Sequence, residues 1–253
     1  MIAKVFASGS GGNCLLLRSQ HTNILIDAGI SMRRTVQSLA DAGLSICDIG
    51  GVLVTHEHSD HVSGLNMLAK KFDIPVFAPH TVANRLMGAI PAVERNIHII
   101  PVGEPFAIGE MKITAFHTPH DTDESVGYRV ECGTVFALAT DMGTVTDEIR
   151  QGIIGADAAL IEANHDVEML RSGPYPFVLK RRILSDRGHL SNEDCAGLAS
   201  MLADSGTRQI VLGHLSKQNN TPAAAMSAVS AALEGKDTAL FCAPDFGCLT
   251  VTV

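Results

Sequence analysis

Short runs of apolar and β-branched residues recur along this chain: "AKVFA", "CLLL", "NILID", "GVLVT", "PVFA", "NIHII", "MKITAF", "VGYRV", "VFALAT", "ADAALIEA", "QIVLGH", "TALFCA" and "CLTVTV". Their length and composition predict strands with at least one buried face. Between many of them, apolar residues return at spacings of three and four. That period predicts helices over 31–42, 62–71, 79–88, 144–152, 191–204 and 221–234. Turn signals such as "SGSGG", "DAG" and "ECGT" separate the strands. Strands dominate the opening and the middle with helices interposed, so the pattern predicts a mixed α/β architecture rather than strict βαβ alternation. Neither a Pro/Ser-rich linker nor a solenoid period interrupts it, and residues 1–253 are expected to form a single domain.

Composition sets the bounds. A chain of 253 residues that is 46% hydrophobic has ample material for a core. No run approaches the roughly 18 to 20 apolar residues needed to cross a bilayer, and "MIAKVFASGSGG" lacks the cationic start and apolar middle of a signal peptide. A cytoplasmic protein is expected, with no membrane partner. Cys14, Cys47, Cys132, Cys195, Cys242 and Cys248 form no CxxC pair, which predicts reduced thiols rather than a disulfide or zinc-ribbon framework. The formal net charge of −8 argues against gripping nucleic acid over the whole surface. One stretch runs the other way: between Glu168 and Arg187, the basic residues Arg171, Lys180, Arg181, Arg182 and Arg187 face only Glu168 and Asp186.

Candidate chemistry concentrates in "VTHEHSDHVSGL", residues 54–65. "GVLVT" predicts a buried strand ending at His56. In extended backbone His56 and His58 project to one side, while Asp60 and His61 follow as the chain turns into a helix. Two ligand pairs at one strand end can thus face two neighbouring metal positions. Further candidates close later strands: His117 and His120 in "AFHTPHDT", Asp141 in "FALATDMG" and His214 in "IVLGHLS". Imidazole and carboxylate together suit zinc, manganese or iron. Burying so many of these groups unpaired would be costly, and coordination removes that cost. The isolated His21, His80 and His98 are expected to be structural.

"THEHSDH" followed in order by "HTPHDT", "ATDMG" and "GHLS" resembles the metallo-β-lactamase superfamily. The resemblance spans nearly the whole chain, from "NCLLL" and "NILIDAG" onward. It implies an αββα sandwich, two mixed β-sheets flanked by helices, carrying two divalent metal ions per chain, zinc or manganese. By that match His56, His58 and His120 hold one ion, Asp60, His61 and His214 the other, and Asp141 bridges them. His120 takes the place of the family's "PGH" histidine in preference to His117. Asp60 counts as a catalytic as well as a ligating carboxylate. Two such ions activate water and stabilise charge on a phosphoryl or acyl oxygen, so the resemblance implies a hydrolase.

Outside the metal shell, "ALIEANHD" and "DRGHLSNEDCAGLA" resemble segments of the superfamily's nuclease branch, the tRNase Z and RNase J groups. There a glutamate orients a histidine that protonates the leaving oxygen; Glu162 and His189 match that pair. His189 precedes a helix whose N-cap is expected at Ser191 or Asn192. The glycine-rich "FASGSGGNCLLL" lets backbone N–H groups approach an anion, with Ser8, Ser10 and Asn13 as added donors. Together with "NHD", "YPFVLKRRI" and "GHLSN" it is similar to the small YycJ/WalJ-type exonucleases, which implies 5′→3′ degradation of DNA. Substrate-side candidates are then Ser8, Ser10, Asn13, Asn164, His165, Lys180, Arg181, Arg182 and Ser191. The alternatives are a small-molecule phosphodiesterase or lactonase on the same metals, a di-iron redox protein, for which no flavodoxin-like appendage follows, and a non-catalytic binding module. A lactonase would leave Glu162 and His189 without work, because its leaving alkoxide stays tethered in the product.

Overall fold

The computed structural model describes all residues, Met1–Val253. Fourteen strands form two sheets. The first holds β1 (Ile2–Ala7), β2 (Cys14–Arg18), β3 (Asn23–Ile26), β4 (Gly51–Leu53), β5 (Val76–Pro79) and β6 (Ile97–Ile100). The second holds β7 (Pro105–Ile108), β8 (Met111–His117), β9 (Val126–Cys132), β10 (Thr134–Ala139), β11 (Ala158–Glu162), β12 (Gln209–Gly213) and β13 (Ala239–Cys242), and β14 (Leu249–Thr252) returns to the first. The spatial orders are β14-β1-β2-β3-β4-β5-β6 and β13-β12-β11-β10-β9-β8-β7.

Both sheets are mixed. In the first, β14, β1, β2 and β3 pair antiparallel and β3 through β6 pair parallel. In the second, β7 and β8 form an antiparallel pair, while β10 through β13 run parallel. The central parallel strands of the second sheet are covered on both faces and run largely apolar: β11 is buried at all five positions and β12 at four of its five. Helices flank each sheet, among them Met32–Asp41, Leu65–Lys71, His80–Ala89, Asn192–Asp204 and Pro222–Ala232. This is the αββα class expected from the sequence.

The chain divides into two compact units. One comprises residues 1–115, 130–133 and 244–252; the other comprises 116–129 and 134–243, with 253. Each has its own core. In the first, Leu16, Leu25, Leu39, Val52, Leu65 and Leu86 pack together; in the second, Ala137, Ile161, Leu198, Leu202 and Leu212 do. No helix is long and apolar enough to cross a membrane. All six cysteines are free thiols.

Two boundaries differ from the sequence expectation for reasons that bear on the site. β4 ends at Leu53 rather than His56. Thr55 leaves the ladder because its N–H donates to Asp27 Oδ1 at 2.9 Å instead of to a neighbouring strand. The helix expected over 62–71 starts at Ser59 and breaks into Ser59–Val62 and Leu65–Lys71. Two short helices, Val167–Ser172 and Phe177–Ile183, were not predicted by apolar period, since each buries only one residue.

Candidate active site

In the first unit the site is built just past the ends of β3 and β4, which run parallel with Ile26 beside Leu53. That register puts Asp27 next to Thr55 and the histidines that follow. Asp27 Oδ2 accepts from His61 Nδ1 at 2.7 Å, and Thr55 Oγ1 lies 3.1 Å from both His56 Nδ1 and His61 Nδ1. His56 and His61 are fully buried, with ring centroids 4.1 Å apart, and the His58 ring stands 4.6 Å from that of His56. Asp60 Oδ2 is 3.5 Å from His61 Nε2. A carboxylate or hydroxyl oxygen at Nδ1 fixes the tautomer and presents Nε2, the arrangement that supports histidine as a metal ligand.

Asn13 packs its polar groups against the same segment. Its Oδ1 accepts from Gly9 N at 2.9 Å, its backbone N–H donates to Asp60 O at 2.7 Å, and its Nδ2 lies 3.0 Å from His61 Nε2. Ser8 is buried and Ser10 exposed in the same loop. The backbone approaches the ligand segment so closely that a Cβ on Gly29 would sit 1.7 Å from Asp60 O, and one on Gly64 would sit 2.0 Å from Ile30 O. Replacing Gly29 by alanine must therefore push the Asp60 turn aside. Overpacking of this kind costs at least about 1–3 kcal/mol. The melting temperature of Gly29→Ala should fall by at least about 2 °C; an unchanged melting curve would contradict that close approach.

In the second unit three adjacent parallel strands deliver their C-terminal ends to one place: Asp141 follows β10, Glu162 ends β11 and His214 follows β12. Ligand sites in open α/β sheets gather at such ends. One ligand atom from each of Asp141, Glu162, His189 and His214 lies within 4.8 Å of the others. His214 Nε2 is 3.4 Å from Asp141 Oδ1 while its Nδ1 is 3.2 Å from Glu162 Oε1. His120 repeats the pattern, with Nδ1 3.2 Å from Gly188 O and Nε2 3.7 Å from Asp141 Oδ1. Burial pushes the His120 pKa down against the pull of Asp141, which keeps its imidazole neutral and available as a donor.

His189 behaves differently. Its Nδ1 lies 2.7 Å from Glu162 Oε1, and the other oxygen of that fully buried carboxylate accepts from Met142 N at 2.8 Å. Burial opposes charge on both groups. The mutual attraction and the hydrogen bonds overcome it, raising the His189 pKa and lowering that of Glu162 to about 2. The contact thus favours the charged form of each partner, imidazolium on His189 and carboxylate on Glu162.

Backbone strain marks the same residues. Asp27, Asp141 and His214 are the non-glycine residues at positive φ, 61°, 56° and 56°. Side chains with that backbone cost roughly 1–2 kcal/mol apiece and persist where surroundings over-determine them. At His214 the surroundings include Asn164, whose Nδ2 donates to His214 O at 2.8 Å.

The remaining candidates sort as follows. His117 is exposed and pairs with Glu148 at 3.0 Å, so the buried His120 is the one aimed at Asp141. His21, His80 and His98 are exposed, His98 stacking on Phe77. Ser191 caps the helix Asn192–Asp204, accepting from Asp194 N at 3.1 Å. His165 is buried, and neither ring nitrogen has a hydrogen-bond partner. Lys180 Nζ donates to Arg171 O at 2.7 Å, Arg181 lies over the Phe177 ring, and Arg182 pairs with Asp121. Sequence reasoning missed Asp27, Thr55 and Arg187, whose Nε donates to His120 O at 2.7 Å and which also donates to Thr122 O. It also missed the reciprocal amide pair of Asn192 and Asn220, at 2.8 and 3.0 Å, which braces Ala163 O.

The donor set therefore fits divalent metal: buried imidazoles with Nδ1 fixed, and carboxylates beside Nε2. Comparison with known proteins agrees. Residues 22–215 match the family model of the beta-lactamase superfamily domain. The chain is 44% identical over 237 residues to the exodeoxyribonuclease YycJ of Bacillus anthracis, covering 92% of this chain and 89% of that protein. It is 39% identical over 222 residues to the exodeoxyribonuclease WalJ of Streptococcus pneumoniae, covering 85% and 82%. Among solved structures, Zn(2+)-bound PqqB from Methylobacterium extorquens superposes over all of both chains with a TM-score of 0.78 at 19% identity, a likeness of fold.

Proposed function

Because the chain belongs to the beta-lactamase superfamily, we propose that it is a metal-dependent DNA exonuclease working 5′→3′. The observation that carries this reading is the His189–Glu162 pair at 2.7 Å, set among Asp141 and His214. Metal ligands alone suit any hydrolase of the fold. A protonated imidazole beside them is what a phosphodiester requires, since its leaving sugar oxygen departs as a poor alkoxide unless it receives a proton. A lactonase has no such need. The likeness to the two exodeoxyribonucleases supports DNA as the substrate, and six free thiols suit a cytoplasmic site of work.

Two divalent ions, zinc or manganese, would be held by His56, His58 and His120, by Asp60, His61 and His214, and by a bridging Asp141. The chemistry such ions supply is Lewis-acid activation of water and of the phosphoryl oxygens. The protein's own residues do the rest. Thr55, Asp27, Glu162 and Gly188 O hold the rings of His56, His61, His214 and His120 respectively by Nδ1. Glu162 keeps His189 charged through Nδ1, leaving Nε2–H as the proton delivered to the leaving oxygen. His165, buried with both ring nitrogens unpartnered, would be satisfied by a phosphate or sugar oxygen of the substrate, with Ser8, Ser10, Asn13, Asn164 and Ser191 in the same proposed surround.

Lys180, Arg181 and Arg182 supply local attraction for the phosphate backbone. Changing all three to alanine should weaken DNA binding and reduce the slope of log K against log salt by about 2, at about 0.7 per neutralised phosphate on a single strand. A slope unchanged by the triple substitution would remove them from the path. Polarity is tested with DNA labelled at one end: a 5′ label should appear at once in the smallest product, and a 3′ label only late. The reverse order would refute 5′→3′ action.

A further inference from the structure

The helix Phe177–Ile183 buries only Ile183, and leaves Phe177 73%, Val178 78% and Leu184 44% exposed. We propose that this apolar tip is a stacking platform for the bases of a single DNA strand whose end is being removed, an inference that rests on the nuclease reading above.

Three observations select that occupant. The first is charge. Lys180 donates to the Arg171 carbonyl and Arg181 lies over the Phe177 ring, and neither has a carboxylate partner. The flank of the tip is therefore cationic, as a polyanion requires. The second is composition. An exposed aromatic ring with an arginine beside it is the pair that sequence-tolerant single-strand binders use, the ring for base faces and the cation for phosphate. The third is placement. His189 N donates to Ile183 O at 3.0 Å, so the last turn of this helix is tied directly to the residue assigned as the acid. At 1.5 Å rise per residue, Phe177 lies about 9 Å along the helix from Ile183. That is a reach of one or a few nucleotides. Bases stacked at the tip would hold the strand while its terminal phosphodiester meets Nε2 of His189.

The chain contains no tryptophan, so Phe177→Trp installs a single indole reporter at the tip. The probe is a phosphorothioate-linked oligonucleotide, which resists cleavage, offered to the metal-loaded protein; its control is the same backbone with abasic sites. Base-bearing DNA should quench the indole and abasic DNA should not. Phe177→Ala should weaken binding of the base-bearing strand by about 10- to 100-fold, the usual worth of one stacked base. It should leave the abasic strand's affinity and the melting temperature unchanged, and Phe177→Trp should restore affinity. Equal affinity of Phe177→Ala and the parent for base-bearing DNA overturns the proposal. So does an indole that ignores DNA but shifts to the blue with phosphatidylglycerol vesicles, which would assign the tip to a membrane. A lower sedimentation coefficient for Phe177→Ala would assign it to a second copy of the chain and overturn the proposal likewise. If the parent degrades DNA while Phe177→Ala binds normally, stacking alone fails; if the parent neither binds nor degrades DNA, the nuclease reading fails with it.

Discussion

His189→Ala should retain its metal and cleave DNA about 10²- to 10⁴-fold more slowly, the usual contribution of a positioned general acid. Its Nδ1 is occupied by Glu162 at 2.7 Å, and it is absent from the proposed ligand set, so metal content should match that of the parent. The defect should depend on the leaving group. A nitrophenyl phosphodiester departs without protonation, and on it the variant should recover nearly the parent rate. A uniform loss on both substrates would leave His189 a structural or phosphate-binding residue. Glu162→Gln is not a milder copy of this variant. The carboxylate also holds His214 Nδ1 at 3.2 Å and accepts from Met142 N, so its neutral replacement should slow both substrates and weaken metal retention.

The second large effect is expected at Asp141. Asn tolerates the left-handed backbone almost alone among polar replacements, so Asp141→Asn should keep the 56° φ and the fold. It removes the charge beside Nε2 of both His120 and His214. Metal content should fall below that of the parent, and DNA cleavage should drop by at least about 10³, the rate equivalent of several kcal/mol of lost charge stabilisation. Asp141→Ala should lose as much activity and also melt lower, because alanine gains nothing from the left-handed region. Full metal content with normal activity in Asp141→Asn would remove this residue from the centre.

Legibility in the sequence followed the range of the interactions. His56, His58, Asp60 and His61 are local, and their spacing alone exposes them. Glu162 and His189 lie 27 residues apart, and resemblance paired them; the structure places them in contact. Asp27 stood in plain view in "NILIDAG" without a role, because its work depends on the parallel register of Ile26 with Leu53. Nothing in either segment alone reveals that register. The glycine-rich turn was legible as chemistry, but its second role was not: Asn13 spends its side chain on Gly9 and the His61 segment, contacts made across the fold that no local pattern reveals. The strand "PFAI" and the two short helices before His189 escaped because four to seven residues with one buried position carry no readable period. The partners of the basic residues there were equally hidden: Arg182 pairs with Asp121 and Arg187 braces the His120 turn, both more than 60 residues away in sequence.

The most direct test of metal-dependent DNA degradation is to strip the protein with a chelator, return zinc or manganese in measured steps, and follow nucleotide release from linear DNA at each step. Stripped protein should release none, and the rate should climb to a plateau at two ions per chain. Full nucleotide release by the stripped protein, or no release at any metal content, would contradict it.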